Sequence, residues 1–278
     1  MAVMAAGLLL AVGGRSDDEP SSASAPAATA HPRSQPTGST GAVAAPGGAA
    51  ATATAGTTPA STPNGFVPFM LVHAGDPELG SPDLPGTGQR LRRLVDEVNR
   101  LRPAMLIIAG DLAHGGKAPA ELKALDEALA ACQVPVRAVA GNHDDLGAFR
   151  KRFGPEYYSF SHANCEFVCL YSEDLSDRQM EWAERALRAA EQAGRTHVIV
   201  VVHHPPEPQS RLDKLLAAHK VSAVLAGHLH KTQRIAGSGY PVYVVSGTAK
   251  FRDSQGMTYG VVKVEADRVE HQALPLGP

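Results

Sequence analysis

Residues 66–278 predict a layered α/β domain, with β-sheets at its centre and helices outside. Strands alternate with helices in the first part of this region and follow one another in the last part, which is typical of such layers. Polar clusters also follow the carboxyl ends of several apolar strands, and this is the edge at which open α/β sheets bind ligands. The same observations therefore predict a fold and the place of a site.

The early elements show a clear alternation. The first strand is expected at 67–73, and the apolar runs AMLIIAG and VPVRAVAG predict two more. Pro103 ends the helix after the first strand, and a second helix is expected at 118–132. The first helix has one apolar stripe, formed by Leu91, Leu94, Val95, Val98 and Leu101.

The later elements contain more strands than helices. YYSFSH and CEFVCLYS predict two strands joined by AN. The next helix is expected to open with a capping box of Ser176 and Gln179 and to end at Gly194. A short helix is expected near 209–219. Further strands are predicted at HVIVVV, VSAVLAG, PVYVVSG and YGVVKVEA.

The amino-terminal region differs in composition from the rest of the chain. Residues 1–14 are apolar, too short to span a bilayer and similar to a secretory signal, although no Lys or Arg precedes the apolar run. Residues 15–65 are mostly Ala, Ser, Thr, Pro and Gly, and such a stretch cannot offset its backbone entropy by burying apolar groups. We expect export with a disordered tether rather than a cytoplasmic location.

Charge and cysteine content exclude several classes of protein. The net charge of -2 and the pI of about 6.6 indicate no nucleic-acid-binding surface and no affinity for anionic membranes, and nothing specifies an oligomeric state. Cys165 and Cys169 lie in one strand, roughly 13 Å apart, too far to pair. With Cys132, they are expected to be free thiols.

Side chains with oxygen or nitrogen ligands follow five of the predicted strands. The segments are LVHAGDPE, LIIAGDLAH, AVAGNHDD, VIVVVHHPP and AVLAGHLHK. Each segment alone is typical of a turn or of packing. Together they would bury polar groups without partners, which costs a few kcal/mol each, whereas metal ions supply those partners.

The ligand types predict which metals bind. Carboxylate, amide and imidazole groups suit Mn²⁺, Fe²⁺, Zn²⁺ or Ni²⁺ and exclude ions that prefer thiolates. His228 and His230 are two positions apart, so in an extended segment both side chains point the same way and can serve one ion or two adjacent ions. A pair of ions about 3.5–4 Å apart is a usual device for phosphoester hydrolysis by a metal-bound hydroxide.

GDLAH, GNHDD, HHPP and GHLH, in that order after a first strand that ends in Asp, resemble the calcineurin-like metallophosphoesterase superfamily. Bacterial class III cyclic-nucleotide phosphodiesterases are among its similar members. The resemblance extends from about residue 66 to near the carboxyl terminus and implies a β-sandwich flanked by helices. It also implies a dinuclear enzyme that hydrolyses a phosphomonoester or phosphodiester. Its two divalent ions would be Mn²⁺ or Fe, with Zn²⁺, Mg²⁺ or Ni²⁺ as alternatives.

The resemblance assigns seven ligands. Asp111 would bridge the two ions. The first ion would be held by Asp76, Glu78 and His230. The second would be held by Asn142, His203 and His228. His203 is preferred to His204 because the family's ligand stands two positions before a proline, here Pro205.

Two further residues are expected to act in catalysis. His143 matches the family's histidine that is not a ligand, and it would donate a proton to the leaving oxygen or stabilise charge there. Asp144 would orient His143 through its other ring nitrogen. Helix capping is the alternative for Asp144 and Asp145. His114 is expected at the surface, with a place behind the metal ligands as the alternative, and His204 in the pocket wall.

Glu78 departs from the family pattern, because most members carry His there. A third ionised carboxylate would favour Mn²⁺ or Mg²⁺ at the first site, unless Glu78 reaches the ion only through water. Lys231, Lys250 and Arg252 follow strands near the expected site, either as solvated residues or as contacts for substrate phosphate. The competing hypothesis is an inactive protein-binding scaffold, which the retained His143 and ligand set disfavour.

Overall fold

A computed structural model describes residues 66–116, 118–252 and 254–277. The signal-like segment 1–14 and the tether 15–65 lie outside the described residues. No helix within the described ranges is long and apolar enough to cross a membrane.

The first of two sheets has the strand order β11-β10-β1-β2-β3. Its strands are β1 (Phe69–Ala74), β2 (Leu106–Ala109), β3 (Val136–Val139), β10 (Thr258–Val264) and β11 (Val269–Pro275). The first three are parallel, while β10 is antiparallel to both β1 and β11. The carboxyl ends of β1, β2 and β3 therefore share one edge.

The second sheet has the order β4-β5-β6-β7-β9-β8. Its strands are β4 (Tyr158–His162), β5 (Cys165–Cys169), β6 (His197–Val201), β7 (Val221–Ala226), β8 (Gln233–Ala236) and β9 (Pro241–Val244). Strands β5, β6, β7 and β9 are parallel to one another. Strands β4 and β8 lie antiparallel to their neighbours and form the two edges of the sheet.

Three apolar cores hold the layers together. Alternate residues of the strands face opposite sides, so Leu71 and Ile107 meet Phe167 and Ile199 of the other sheet between the sheets. The first sheet's outer face packs on α1 (Thr87–Leu101), α2 (Pro119–Ala130) and α3 (Leu146–Phe153). The second sheet's outer face packs on α4 (Asp177–Gln192) and α5 (Arg211–Ala217). The predicted β-sandwich flanked by helices is confirmed.

One local prediction is wrong, the capping box of α4. Ser176 is the N-cap residue but makes no capping hydrogen bond with its side chain. The buried Gln179 amide turns instead to the preceding loop, accepting from Tyr171 N at 2.8 Å and donating to Tyr171 O at 2.9 Å. The sequence signature is present, but the buried loop backbone competes for the same side chain.

Candidate metal centre

Each expected ligand follows the carboxyl end of a strand, and the strands come from both sheets. The first sheet supplies them after β1, β2 and β3, and the second sheet after β6 and β7. Backbone hydrogen bonds join neighbouring loops, from Asp76 N to Gly110 O (3.0 Å) and from Glu78 N to Asp111 O (2.8 Å). Two contacts join the sheets, His203 Nε2 to Asp111 Oδ2 at 3.2 Å and His228 N to Asp76 Oδ1 at 3.0 Å, so the ligands meet at the carboxyl ends of strands from both sheets.

The first group contains Asp76, Glu78 and His230. One ligand atom from each lies within 4.8 Å of the others. His230 Nε2 is 3.3 Å from Glu78 Oε1 and 4.0 Å from Asp76 Oδ1. All three residues are buried, so Glu78 points into the site and not into solvent.

The second group surrounds His203. Its Nε2 lies 3.2 Å from Asp111 Oδ2 and 3.1 Å from Asn142 Oδ1, while its Nδ1 donates to Ala109 O at 2.8 Å. His228 has a ligand atom within 4.8 Å of one from His203. The structure thus brings together all three residues expected to hold the second ion.

Asp111 belongs to both sides of the site. Its ligand atoms lie within 4.8 Å of those of Asp76 and His203, and also of those of Glu78 and His143. This central position is the one that a bridging carboxylate requires.

Unusual backbone conformations bring the ligands close together. The left-handed region, which L-residues rarely adopt, is occupied by Asp76, Glu78, Asp111, His228 and His230, with φ values between 41° and 66°. Two glycines leave space for the ligand side chains. A Cβ at Gly110 would lie 2.4 Å from His203 Nδ1, and a Cβ at Gly141 would lie 2.2 Å from Asp111 Oδ1. Such strain is typical of functional sites, where the fold holds ligands in place.

The electrostatics of the carboxylates fit bound cations. Burial, with the charge of Asp111, raises the pKa of Asp76 well above its usual range, and burial likewise raises the pKa of Glu78. Three buried carboxylates close together are unfavourable without compensating positive charge. Divalent ions would supply that charge, so the donor set fits two such ions.

The histidines divide into two electrostatic classes. Burial opposes the charge of His203, but the hydrogen bond to Asp111 and the charge of Asp76 outweigh it and raise its pKa to about 9. Burial lowers the pKa of His228 and of His230 to about 4, helped by nearby histidines and by Lys250, respectively. His228 and His230 are therefore neutral at pH 7 and have a lone pair free to bind a metal.

Asp144 has a different role from the one expected, because its carboxylate does not serve the His143 ring. Its oxygens accept hydrogen bonds from three backbone amides, Leu112 N (3.2 Å), Ala113 N (3.0 Å) and Gly141 N (2.9 Å). It therefore ties the loop after β2 to the loop after β3, which carry two of the expected ligands. Burial raises its pKa to about 6 in spite of these bonds. The capping alternative is confirmed for Asp145, which accepts from Ala148 N at 2.9 Å at the start of α3.

His143 lies at a cavity of about 250 Å³ over the first group. Its backbone N donates to Asp111 Oδ1 at 2.9 Å, which fixes the loop that carries it. The ring stacks on His114, with centroids 4.6 Å apart. His114 lines the same cavity and is half-buried, so the expectation that it lies at the surface is wrong.

Sequence reasoning leaves several residues of the site without a definite role. Lys250 and Arg252 are exposed, yet both line the cavity over the first group. The sequence does not mark Glu173 as part of the site, but its carboxylate contacts His204 Nδ1. Its signal in the sequence is weak because it lies in a loop 31 positions from His204, and only the fold brings the two together.

Comparison with known proteins identifies relatives of both sequence and fold. The family model for calcineurin-like phosphoesterases matches residues 69–232. A probable cyclic nucleotide phosphodiesterase of Rhodococcus erythropolis is 30% identical, with 75% of this chain and 84% of that protein covered. A cAMP/cGMP dual specificity phosphodiesterase of Mycobacterium tuberculosis is also 30% identical, with 75% and 80% covered. The fold is similar to that of a dimetal phosphatase from Danio rerio, with a TM-score of 0.60, 17% identity, and 75% of this chain and 99% of that chain covered.

Proposed function

Since the chain belongs to the calcineurin-like phosphoesterase family and is a hydrolase, we propose that it hydrolyses phosphodiesters at a centre of two divalent ions, with cyclic nucleotides as the first substrates to test. The observation that carries the proposal is the convergence of three buried carboxylates and three imidazoles in overlapping groups of ligand atoms at the strand ends. The names of the two bacterial relatives support a cyclic nucleotide as substrate.

The ligand assignment follows the two groups of the site. Asp76, Glu78 and His230 would hold the first ion. Asn142, His203 and His228 would hold the second, with Asp111 between the two. Two bound divalent ions would supply Lewis-acid activation of water and of the phosphate oxygens.

Other side chains would act on the substrate directly. His143 lines the cavity and would donate a proton to the leaving oxygen. The stacked ring of His114 would restrict its rotation. Lys250 and Arg252 are exposed and line the same cavity, so their charges would attract the substrate phosphate.

The test is metal-dependent hydrolysis with a matched carboxylate control. Protein stripped with a chelator should not hydrolyse bis(p-nitrophenyl) phosphate or cyclic AMP, and Mn²⁺ should restore both activities. Asp111→Asn should remain inactive with Mn²⁺, whereas Asp83→Asn, which changes a carboxylate on the same cavity outside the ligand groups, should retain activity. Fully loaded protein that hydrolyses no phosphoester in a broad panel would support the scaffold hypothesis instead.

A further inference from the structure

A second, larger cavity adjoins the candidate centre. Its volume is about 600 Å³, and His228 and Leu229 line both this groove and the smaller cavity over the first group. A molecule bound at the candidate metal ligands can therefore extend into the groove. The groove is large enough for a nucleoside.

The chemistry of the groove differs from that of the smaller cavity. Its apolar lining comprises Leu175, Pro205, Pro206, Pro208, Leu212 and Ile235. The charged residues among its described lining are Glu173 and Glu207, both acidic. The smaller cavity also has acidic residues, Glu78, Asp83 and Asp111, but it carries the basic pair Lys250 and Arg252, and the proposed ions would offset Glu78 and Asp111. A second anionic group would consequently be repelled from the groove and attracted to the opposite side of the site.

His204 forms the wall between the groove and the centre, and several contacts hold it there. Its Nδ1 contacts the Glu173 carboxylate, and its backbone N donates to Ser172 Oγ at 2.9 Å. Its ring centroid lies 3.5 Å from that of His228. The prolines that follow restrict the backbone, so the groove is largely formed before a ligand enters.

We propose that this groove binds the uncharged organic group of the phosphoester while the phosphate lies at the candidate metal ligands. The proposal rests on the proposed function and narrows its substrate class to esters whose organic group is bulky, largely apolar and free of negative charge. The nucleoside part of a cyclic nucleotide meets this description. An organic group carrying a carboxylate or a further phosphate does not.

Phosphonates of different organic groups test the proposal by binding alone. Titration calorimetry on the full chain loaded with Mn²⁺ would compare methylphosphonate, naphthylphosphonate, phenylphosphonate and 4-carboxyphenylphosphonate. Burial of the aromatic ring in the groove should make naphthylphosphonate bind about tenfold or more tightly than methylphosphonate. The 4-carboxyphenyl compound should bind more weakly than its uncharged phenyl counterpart.

Two variants of the groove should change this selectivity in different ways. Ile235→Asp should bring the naphthyl-to-methyl affinity ratio close to one while methylphosphonate binding stays unchanged. Glu207→Lys should strengthen binding of the 4-carboxyphenyl compound severalfold. Glu181→Lys, the same charge change at an exposed helix position outside the groove lining, should leave all affinities unchanged.

The outcomes distinguish failure of the groove from failure of the function. Equal affinity for methyl- and naphthylphosphonate, in a protein that hydrolyses phosphoesters, would overturn the groove proposal alone. Unchanged selectivity in both Ile235→Asp and Glu207→Lys would overturn it as well. If Mn²⁺-loaded protein binds no phosphonate and cleaves no ester, the proposed function and the groove proposal both fail.

Discussion

Among single residues, Glu78 adds a second carboxylate to the first ligand group. It is buried, and its Oε1 lies 3.3 Å from His230 Nε2, so its carboxylate faces the other expected ligands and not solvent. With Asp76 and Asp111, Glu78 gives the candidate centre three carboxylates. Hard cations such as Mn²⁺ and Mg²⁺ prefer oxygen ligands more strongly than Zn²⁺ does. The residue at this position should therefore affect which metal binds.

Replacing Glu78 by His should shift the metal preference of the first site. Glu78→His removes one negative charge and one oxygen ligand, so affinity for Mn²⁺ should fall relative to Zn²⁺ by about tenfold or more, since even residues that only support a ligand change metal affinity by about 10–100-fold. Calorimetric titration of chelator-stripped protein with each ion measures the ratio. Asp83→His, on the same cavity, is the control. An unchanged ratio in Glu78→His would show that Glu78 does not bind the ion.

Removing the His143 side chain should separate catalysis from metal binding. In the proposed function, His143→Ala loses the proton donor, so kcat should fall by about 10²–10⁴-fold. Metal content, measured by atomic absorption, should stay at the wild-type value. The ring lies within 4.8 Å of Asp111 and Glu78 ligand atoms, so loss of an ion in this variant would instead identify His143 as a ligand.

Among elements, the central strands and their polar ends are easier to predict than two of the edge strands. Central strands such as β2 are continuous apolar runs, and the polar residues that end them stand out. The sequence pattern does not predict the edge strands β8 and β11, because exposed polar residues interrupt their apolar runs, as Glu270 does in β11.

The contacts of Asp144 and His114 escape prediction for another reason. They join loops about 30 positions apart, and one-dimensional patterns do not specify such pairings.

A histidine pair joining β1 and β11 should make the fold sensitive to acid. His73 Nδ1 lies 3.1 Å from His271 Nε2, and the His271 ring stacks on Tyr243. Burial lowers the pKa of His271 to about 4, and burial together with His271 lowers that of His73 well below its usual range. Both are neutral in the folded protein but take up protons near pH ~6.5 when unfolded, so stability should fall as the pH drops from about 6.5 to about 4.

His271→Phe should reduce that loss. Phenylalanine keeps the stacking on Tyr243 but cannot titrate, which removes about 2 kcal/mol of the stability lost between about pH 7.5 and about pH 5. Urea unfolding of chelator-stripped protein at about pH 7.5 and at about pH 5 gives the loss in free energy of unfolding for each variant. His162→Phe, in another strand, serves as control. The same drop in wild type and His271→Phe would contradict the prediction.

At the scale of the whole molecule, the proposed centre joins the two sheets, so metal should stabilise the fold as well as the site. An ion that binds only the folded state adds about 2.7 kcal/mol at a concentration about a hundred times its Kd. For a domain of this size that corresponds to a rise in Tm of about 5–10 °C. Calorimetric scans with chelator and with Mn²⁺ measure the shift, which Asp111→Asn should abolish. Identical Tm values for wild type in both conditions would contradict it.

The separation of the proposed ligands along the chain has a consequence for biosynthesis. Asp76, whose carboxylate accepts from His228 N, stands 152 positions before that residue. β1 also pairs with β10, near the end of the chain. A nascent chain on the ribosome therefore presents the acidic loops of β1 and β2 long before the imidazoles that follow β6 and β7 have been synthesised. Metal loading can be completed only after translation has passed His230, and truncated translation products lack the complete set of proposed ligands.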